Sequence, residues 1–340
     1  MIASFVYIST IEATSSFWDC GEFIASAFKL EVGHPPGAPL FMLLGRVFSL
    51  LAGNNVDKVA MMINSISALS SALTIMFLFW TITHLARKIL VKDNNYNSGG
   101  TIAVIGSGLV GALAYTFSDT FWFSAVEGEV YATSSLFTAV VFWAILKWEN
   151  VADEKYADRW LVLIAFLMGL SLGIHLLNLL AIPAIVLVYY FRKYKVTPPG
   201  IIFSLLISGF ILLFIQFGVI QYVIEFASLH ELLFVNTYGM PYNSGVIIFL
   251  GLLIIYFVSG IGATHAENSK SEILYLVSFI ALNFAIGKII LGLIFNIVFL
   301  IIYFVTKRDL FKTIVIFYLG VIPGYIVWLI FFAEKDKNEL

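Results

Sequence analysis

Long apolar runs separated by short polar breaks fill most of the chain. Crossing a bilayer core takes about 20 mainly apolar residues. Runs of that order lie near 57–86, 101–118, 131–148, 160–175, 177–191, 200–224, 245–264, 272–287, 289–305 and 311–332. The pattern predicts an all-α polytopic membrane protein with about ten complete spans. The uninterrupted stretches 160–191 and 272–305 exceed one crossing, so they are divided at His175 to Asn178 and near Lys288 into helical hairpins with polar tips. Met1 to Thr14 is apolar, too short to span, and lacks the basic flank of a signal peptide. It reads as the last half of a first helix, and the reading frame is expected to begin upstream.

Positive charge gives the spans an orientation, because loops on the cytoplasmic side retain Lys and Arg. With 15–56 outside, the inner loops hold Arg87, Lys88, Lys92, Lys147, Lys155, Arg159, Arg192, Lys193, Lys195, Lys270, Lys307, Arg308 and Lys312, thirteen of the nineteen cations. The outer face keeps Lys29, Arg46, Lys58 and Lys288, with Lys335 and Lys337 in the tail. Merging either hairpin would invert every later loop, so the asymmetry supports both divisions. Glu12, Asp19, Glu22, Glu31, Asp57, Asp119, Glu127, Glu129, Glu225 and Glu231 then lie outside. This excess of acids is either incidental or the lining of an outer cavity.

Composition removes other classes. The chain is 61% hydrophobic and 12% charged with a mean hydropathy of +0.97, whereas soluble domains carry about 25% charged residues. A net charge of −2 offers no basic footprint for nucleic acid. The single cysteine, Cys20, excludes an internal disulfide framework and a cysteine-built zinc site.

Polar residues concentrate in a few places. In Ser16-Phe-Trp-Asp-Cys-Gly-Glu-Phe-Ile, Asp19 and Glu22 share a face if the turn is helical. Flanked by Trp18 and Phe23, they are either a carboxylate pair with divergent proton affinities or a plain acid cap on a helix starting near Gly21. His34-Pro-Pro-Gly37 cannot be helix interior and presents an imidazole on a rigid loop. Ala38 to Leu51 reads as a short apolar helix lying in the interface, with Arg46 snorkelling or pairing with a phosphate. Glu127 and Glu129 sit beside Tyr131 at the mouth of the next helix and share a face only if extended. His175 and Asn178 mark the hairpin tip, where they either close the same cavity or satisfy local backbone. Glu225, His230, Glu231, Asn236, Tyr238, Tyr242 and Asn243 fall in one outer segment of about twenty residues that could cover the cavity. No spacing demands a metal or a nucleotide.

Three motifs, Ser-Phe-Trp-Asp-Cys-Gly-Glu-Phe at 16–23, Gly-His-Pro-Pro-Gly-Ala-Pro at 33–39 and Val-Glu-Gly-Glu-Val-Tyr-Ala at 126–132, together carry a likeness. The chain resembles, from its first residue to about 332, the domain-of-unknown-function 2723 family of transmembrane protein 260-like protein O-mannosyltransferases in the GT-C superfamily. The resemblance implies a GT-C-like bundle over 1–333 with a truncated first helix, and 334–340 as the start of a missing extracytoplasmic domain or tail. It also implies a lipid-phosphate sugar donor and an acidic catalytic residue in the first outer loop, where Asp19 stands with Glu22 second.

The expected activity is an inverting transfer of a hexose, foremost mannose, from a polyprenyl-phosphate donor to Ser or Thr hydroxyls of exported proteins. Asp19 would take the acceptor proton. His34 or Arg46 would hold the leaving phosphate. Glu127 and Glu129, with Tyr131, would bind sugar hydroxyls or orient the acceptor. Membrane lipids, the lipid-linked sugar and an exported protein are the expected partners, with no nucleic acid and no cofactor beyond the donor. The expected location is a bacterial inner membrane, or endoplasmic reticulum in a eukaryote, with the active face extracytoplasmic. The alternative class is a transporter or flippase for lipid-linked sugars, which would favour paired repeats and midplane ionisable groups. No repeat is found, and the ionisable residues cluster at one face.

Overall fold

A computed structural model of the chain describes residues 1–35, 37–91, 97–220, 222–265 and 269–284. Among them every regular element is a helix. The predicted runs at 289–305 and 311–332, the division near Lys288, Lys92, the cations Lys307, Arg308 and Lys312, and the tail at 334–340 lie outside the described residues. The chain divides into two compact units, whose described parts are 1–205 and 206–284.

The first unit is organised around α4 (Val59–Leu90), against which α1 (Ile2–Ser9), α2 (Cys20–Lys29), α3 (Pro39–Ser49), α5 (Ser98–Thr116), α6 (Asp119–Val126) and α7 (Val130–Val151) all pack. At 32 residues α4 is about 48 Å long, more than a bilayer core. Besides Ile63, Ile66 and Ile75, its buried residues are small or polar: Asn64, Ser67, Ala68, Ser70, Ser71, Thr74 and Thr81. Apolar bulk gives little drive to helix association in lipid, so close approach through small residues and hydrogen bonds across helices take over. Ser70 Oγ meets Thr133 Oγ1 of α7 at 3.3 Å. On the α5 side Gly108 lies so near α4 that an added Cβ would stand 2.5 Å from Thr83 Cγ2.

α8 (Asp158–Ser171) and α9 (Ile182–Lys193) both pack on α7, separated by a break that runs through a 3₁₀ turn at Leu176–Ala181. The break falls where the polar tip at His175 to Asn178 is predicted. At the far ends of α4, α7 and α9 the charges interlock. Lys88 pairs with Glu149, Arg192 with Asp153, and Lys193 Nζ reaches Asp153 Oδ1 at 3.0 Å. Lys88 sits about 36 Å along α4 from Asn64, at 1.5 Å per residue.

In the second unit α11 (Tyr222–Leu232) packs on α12 (Ser244–His265), and α12 on α13 (Ser269–Phe284). α10 (Pro198–Leu213) runs across the division between the units.

One expectation is corrected. The 225–243 segment is mainly helix rather than a connecting loop, because nothing breaks α11 and the π turn after it until Gly239, at φ 66°, ends the run. Glu231 then closes the turn, its carboxylate accepting from Asn243 N–H at 2.5 Å and Val246 N–H at 3.1 Å. The count of ten complete spans is not confirmed, since two of the predicted runs lie outside the described residues. Among the described residues five stretches are long and apolar enough to cross: Val56–Leu90, Ser98–Thr116, Val130–Val151, Leu176–Lys193 and Pro198–Thr237. α8 has 14 residues, about 21 Å, because the break at Leu172 to His175 comes earlier than the apolar run suggests. Pro39–Ala52 is likewise a short apolar helix, as expected for a segment that does not span.

The close approach of α5 to α4 is testable. Gly108→Val forces overpacking against Thr83 and Phe79, costing about 1–3 kcal/mol, and should lower the melting temperature in detergent. Gly106→Val, where an added Cβ meets nothing within 4 Å, should leave it unchanged.

Candidate active site

Asp19 is the residue before α2, and the sequence allows it to be a simple helix cap. Its carboxylate makes no capping hydrogen bond. Instead Asp19 Oδ2 faces His34 Nε2 at 3.9 Å. The other side of the same imidazole is held by Glu22, whose Oε2 lies 3.1 Å from Nδ1 and whose Oε1 accepts the His34 backbone N–H at 2.5 Å. His34 is fixed in turn by a tight turn, with Gly37 N–H donating to the His34 carbonyl at 2.8 Å. Two non-glycine residues, Trp18 at φ 60° and Ala38 at φ 36°, take left-handed conformations beside these groups. Such conformations persist where surrounding contacts over-determine them, and they concentrate at functional sites.

The second acidic segment approaches from between α6 and α7. Glu127 and Glu129 each have extended ψ, 158° and 157°, but the Glu129 N–H donates to the Glu127 carbonyl at 3.0 Å in a tight turn about Gly128, so the segment is bent and the condition for their sharing a face is not met. Both are buried. Glu127 accepts a hydrogen bond from Cys20 Sγ at 3.5 Å. Glu129 accepts from Val130 N–H at 2.9 Å, capping α7.

The third contribution comes from the break after α8. Gly173 carbonyl accepts the N–H of Leu40 at 2.7 Å, docking the break on the start of α3. His175 Nδ1 accepts from Leu177 N–H at 3.1 Å, leaving the ring proton on Nε2, and its ring lies 5.4 Å from that of Tyr131.

These pieces converge. A cleft of about 60 Å³ is lined by Asp19, Phe23, His34, Gly37, Ala38, Glu129, Val130, Tyr131, Ile174 and His175. Five of the nine residues nominated from sequence therefore share one wall-to-wall space. Glu22 stands behind His34. Glu127 lies behind Cys20. Asn178 is fully buried and donates to Ser171 Oγ at 2.7 Å, bracing the break from within. Arg46 is elsewhere: its guanidinium donates to the Phe28 carbonyl at 2.7 Å and lies over the Phe28 ring, at the far end of α2 from Asp19. A second cavity of about 630 Å³ lies among α4, α5 and α7, with Thr74, Thr81, Ser134 and Thr138 on its walls. Tyr131 belongs to both spaces.

The carboxylates differ in proton affinity. Hydrogen bonds from the His34 backbone N–H and then its ring hold Glu22 below the usual carboxylate range. Glu22 thus stays ionised and is a poor proton acceptor. Burial, and then the charges of Glu127 and Asp19, push Glu129 up to about 7 against the pull of the Val130 N–H. Burial also raises Glu127, and burial with both neighbouring glutamates drives the Cys20 thiol up to about 12. Asp19, Glu22 and His34 each offer a ligand atom within 4.8 Å of the others, so this exposed group can also hold a cation.

Sequence inspection passes over Cys20, Asn64 and Ser67 as site elements. Ser67 Oγ donates to the Glu129 carbonyl at 3.3 Å, and Asn64 contacts the first loop. Their signal is faint: small polar residues inside the apolar run 57–86.

The profile of the protein O-mannosyl-transferase TMEM260 N-terminal domain matches residues 19–198, which include all nine nominated residues. The protein O-mannosyl-transferase tmem260 of Dictyostelium discoideum is 26% identical over 226 residues, covering 65% of this chain and 26% of that protein. The Mus musculus protein O-mannosyl-transferase TMEM260 is 28% identical over 167 residues, 49% of this chain and 21% of that protein. The matched regions thus span about a quarter of the length of these curated relatives. No solved structure matches.

Glu129 gives a pH-dependent stability. The folded protein holds its proton more tightly than the unfolded chain, so stability falls as pH rises from about 4.5 through about 7. Glu129→Gln keeps an acceptor for Val130 and removes the buried charge. It should raise the melting temperature at pH 8, with the gain shrinking to nothing near pH 4.

Proposed function

Because the chain belongs to the protein O-mannosyl-transferase TMEM260 N-terminal domain family, we propose that its acid cleft transfers a hexose, mannose in the first instance, from a polyprenyl-phosphate donor to a Ser or Thr hydroxyl of an exported protein. The observation that carries this reading is the meeting of Asp19, His34, Glu129, Tyr131 and His175 around one cleft from three separate segments.

Roles follow from charge flow. The acceptor hydroxyl loses its proton as it attacks the anomeric carbon, and the glycosyl centre passes through an oxocarbenium-like state. Asp19 is open to the cleft, uncommitted to capping, and takes that proton. His34, whose Nδ1 is held by Glu22, sets its Nε2 3.9 Å from Asp19 and lines the acceptor side of the cleft; the departing phosphate leaves on the opposite side of the anomeric centre, where its charge needs cations or N–H groups rather than an acid. Arg46 drops out of this role because it is tied to Phe28. Glu22 becomes the residue that orients His34. Glu129, Tyr131 and His175 remain for sugar hydroxyls and acceptor.

At about 60 Å³ the cleft is small. It takes an attacking hydroxyl, not a whole sugar. The hydroxyl-studded cavity beyond Tyr131 is ten times larger, at about 630 Å³, and suits the sugar and the first isoprene units. In-line attack from the opposite side of the anomeric centre gives inversion. The acids gather at one end of α4 and the basic cluster at the other, which supports an extracytoplasmic cleft under the positive-inside rule.

A second assignment of the base has one observation in its favour. Glu129, near 7, is matched to neutral-pH proton transfer. Kinetics separates the two. Asp19→Asn should lower kcat by about 10²–10⁴-fold, the range typical for loss of a general base, with the protein still folded. Should Asp19→Asn transfer at the parental rate while Glu129→Gln abolishes an ascending pH–rate limb near pH 7, the base is Glu129.

A further inference from the structure

Asn64 is fully buried in the second turn of α4, a helix long enough to cross a membrane. An amide there is costly unless every polar atom is satisfied. Its Nδ2 donates twice, to the carbonyl of Glu12 at 2.8 Å and to that of Thr14 at 2.9 Å. Two carbonyl acceptors fix the orientation, since only the NH₂ side can serve both. Among the described residues the amide oxygen has no hydrogen-bond partner. It faces Gly128, where an added Cβ would stand only 2.6 Å away, with Ile24 Cγ1 at 3.1 Å.

Asn64 therefore touches both acid-bearing segments. Glu12 and Thr14 belong to the loop leading into Asp19, and Gly128 lies between Glu127 and Glu129. The two segments are bridged elsewhere as well: Glu12 N–H donates to the Val126 carbonyl at 3.0 Å, and Cys20 Sγ reaches Glu127. One turn along α4, Ser67 holds the Glu129 carbonyl. Five buried side-chain polar atoms among the described residues lack a partner, Asn178 Oδ1 among them; Asn64 stands apart in donating to one acid-bearing segment while abutting the other. Exceptions of this kind concentrate where function sets the geometry.

We propose that Asn64 is the positioning residue of the cleft: from α4 it fixes the first acidic loop and the Glu127-Gly128-Glu129 segment together, and so sets Asp19 against Glu129. The catalytic half of this statement rests on the transferase reading above; the clamp itself does not.

The chain carries its own reporter. Cys20 is its single cysteine, fully buried between the two segments, so maleimide labelling reads whether they stay together. The experiment uses the full chain in detergent or liposomes, with N-ethylmaleimide as probe and thermal melting to confirm folding. In Asn64→Leu, which keeps the shape and removes both donated bonds, labelling should accelerate by about tenfold or more through local opening. In the same preparation kcat should fall by about 10²-fold with KM little changed, the signature of misplaced groups. Gly128→Ala, which leaves α4 intact, should move both readouts the same way and serves if Asn64→Leu does not fold. Parental labelling in a folded variant overturns the clamp. Faster labelling with parental kcat overturns the positioning role. If the parental chain transfers no hexose, the transferase reading fails and the labelling arm still decides the clamp.

Discussion

Irregular backbone at the end of a membrane bundle has to find its hydrogen bonds inside the protein, because lipid supplies none. The first acidic loop of this chain is such a backbone, and so is the bent Glu127-Gly128-Glu129 segment. Both are answered by one helix. α4 turns a stripe of small and polar residues toward them, so that Asn64 takes the carbonyls of Glu12 and Thr14 and Ser67 takes that of Glu129. A stripe of Leu and Ile at these positions would bury more apolar surface and leave the loops without partners. The composition of α4 is the condition for a structured cleft at its end.

Given that anchorage, the electrostatics follow. Glu129 is drawn inward and desolvated, which raises its proton affinity, and the neighbouring acids add to the effect. Glu22 faces the opposite situation. It is exposed and accepts two hydrogen bonds from His34, so it holds its charge. Two carboxylates from different segments, Glu129 and Glu22, thus separate into one that keeps a proton near neutrality and one that does not. Divergence of this kind between neighbouring acids is how one site can both orient a group and exchange a proton. Asp19 and His34 occupy the space between them.

Much of this was legible in the sequence, for identifiable reasons. The motifs at 16–23, 33–39 and 126–132 stand out because polar, Pro and Gly residues interrupt a lipid-facing composition, and each reappears at the cleft. The helical nature and the break at His175 also follow from apolar run length and a polar tip. Arg46 misleads because sequence spacing along α2 and α3 cannot say which end of α2 it meets. Asn178 misleads because a polar residue at a break serves the local backbone as readily as a cavity. Asn64 and Ser67 are hidden by their context, since one Asn and scattered Ser in an apolar run change its hydropathy little. The 225–243 segment reads as a loop from its polar residues, yet polar residues alone do not break a helix without Gly or Pro.

The central claim is that these converging groups move a sugar onto protein. The most direct measurement reconstitutes the full chain in liposomes with polyprenyl-phosphate mannose labelled in the sugar and a pool of exported proteins, then locates the label by mass spectrometry. The account predicts mannose on Ser or Thr side chains, with an anomeric configuration opposite to that in the donor. Label that crosses the bilayer while remaining lipid-linked, with none on protein, would contradict it.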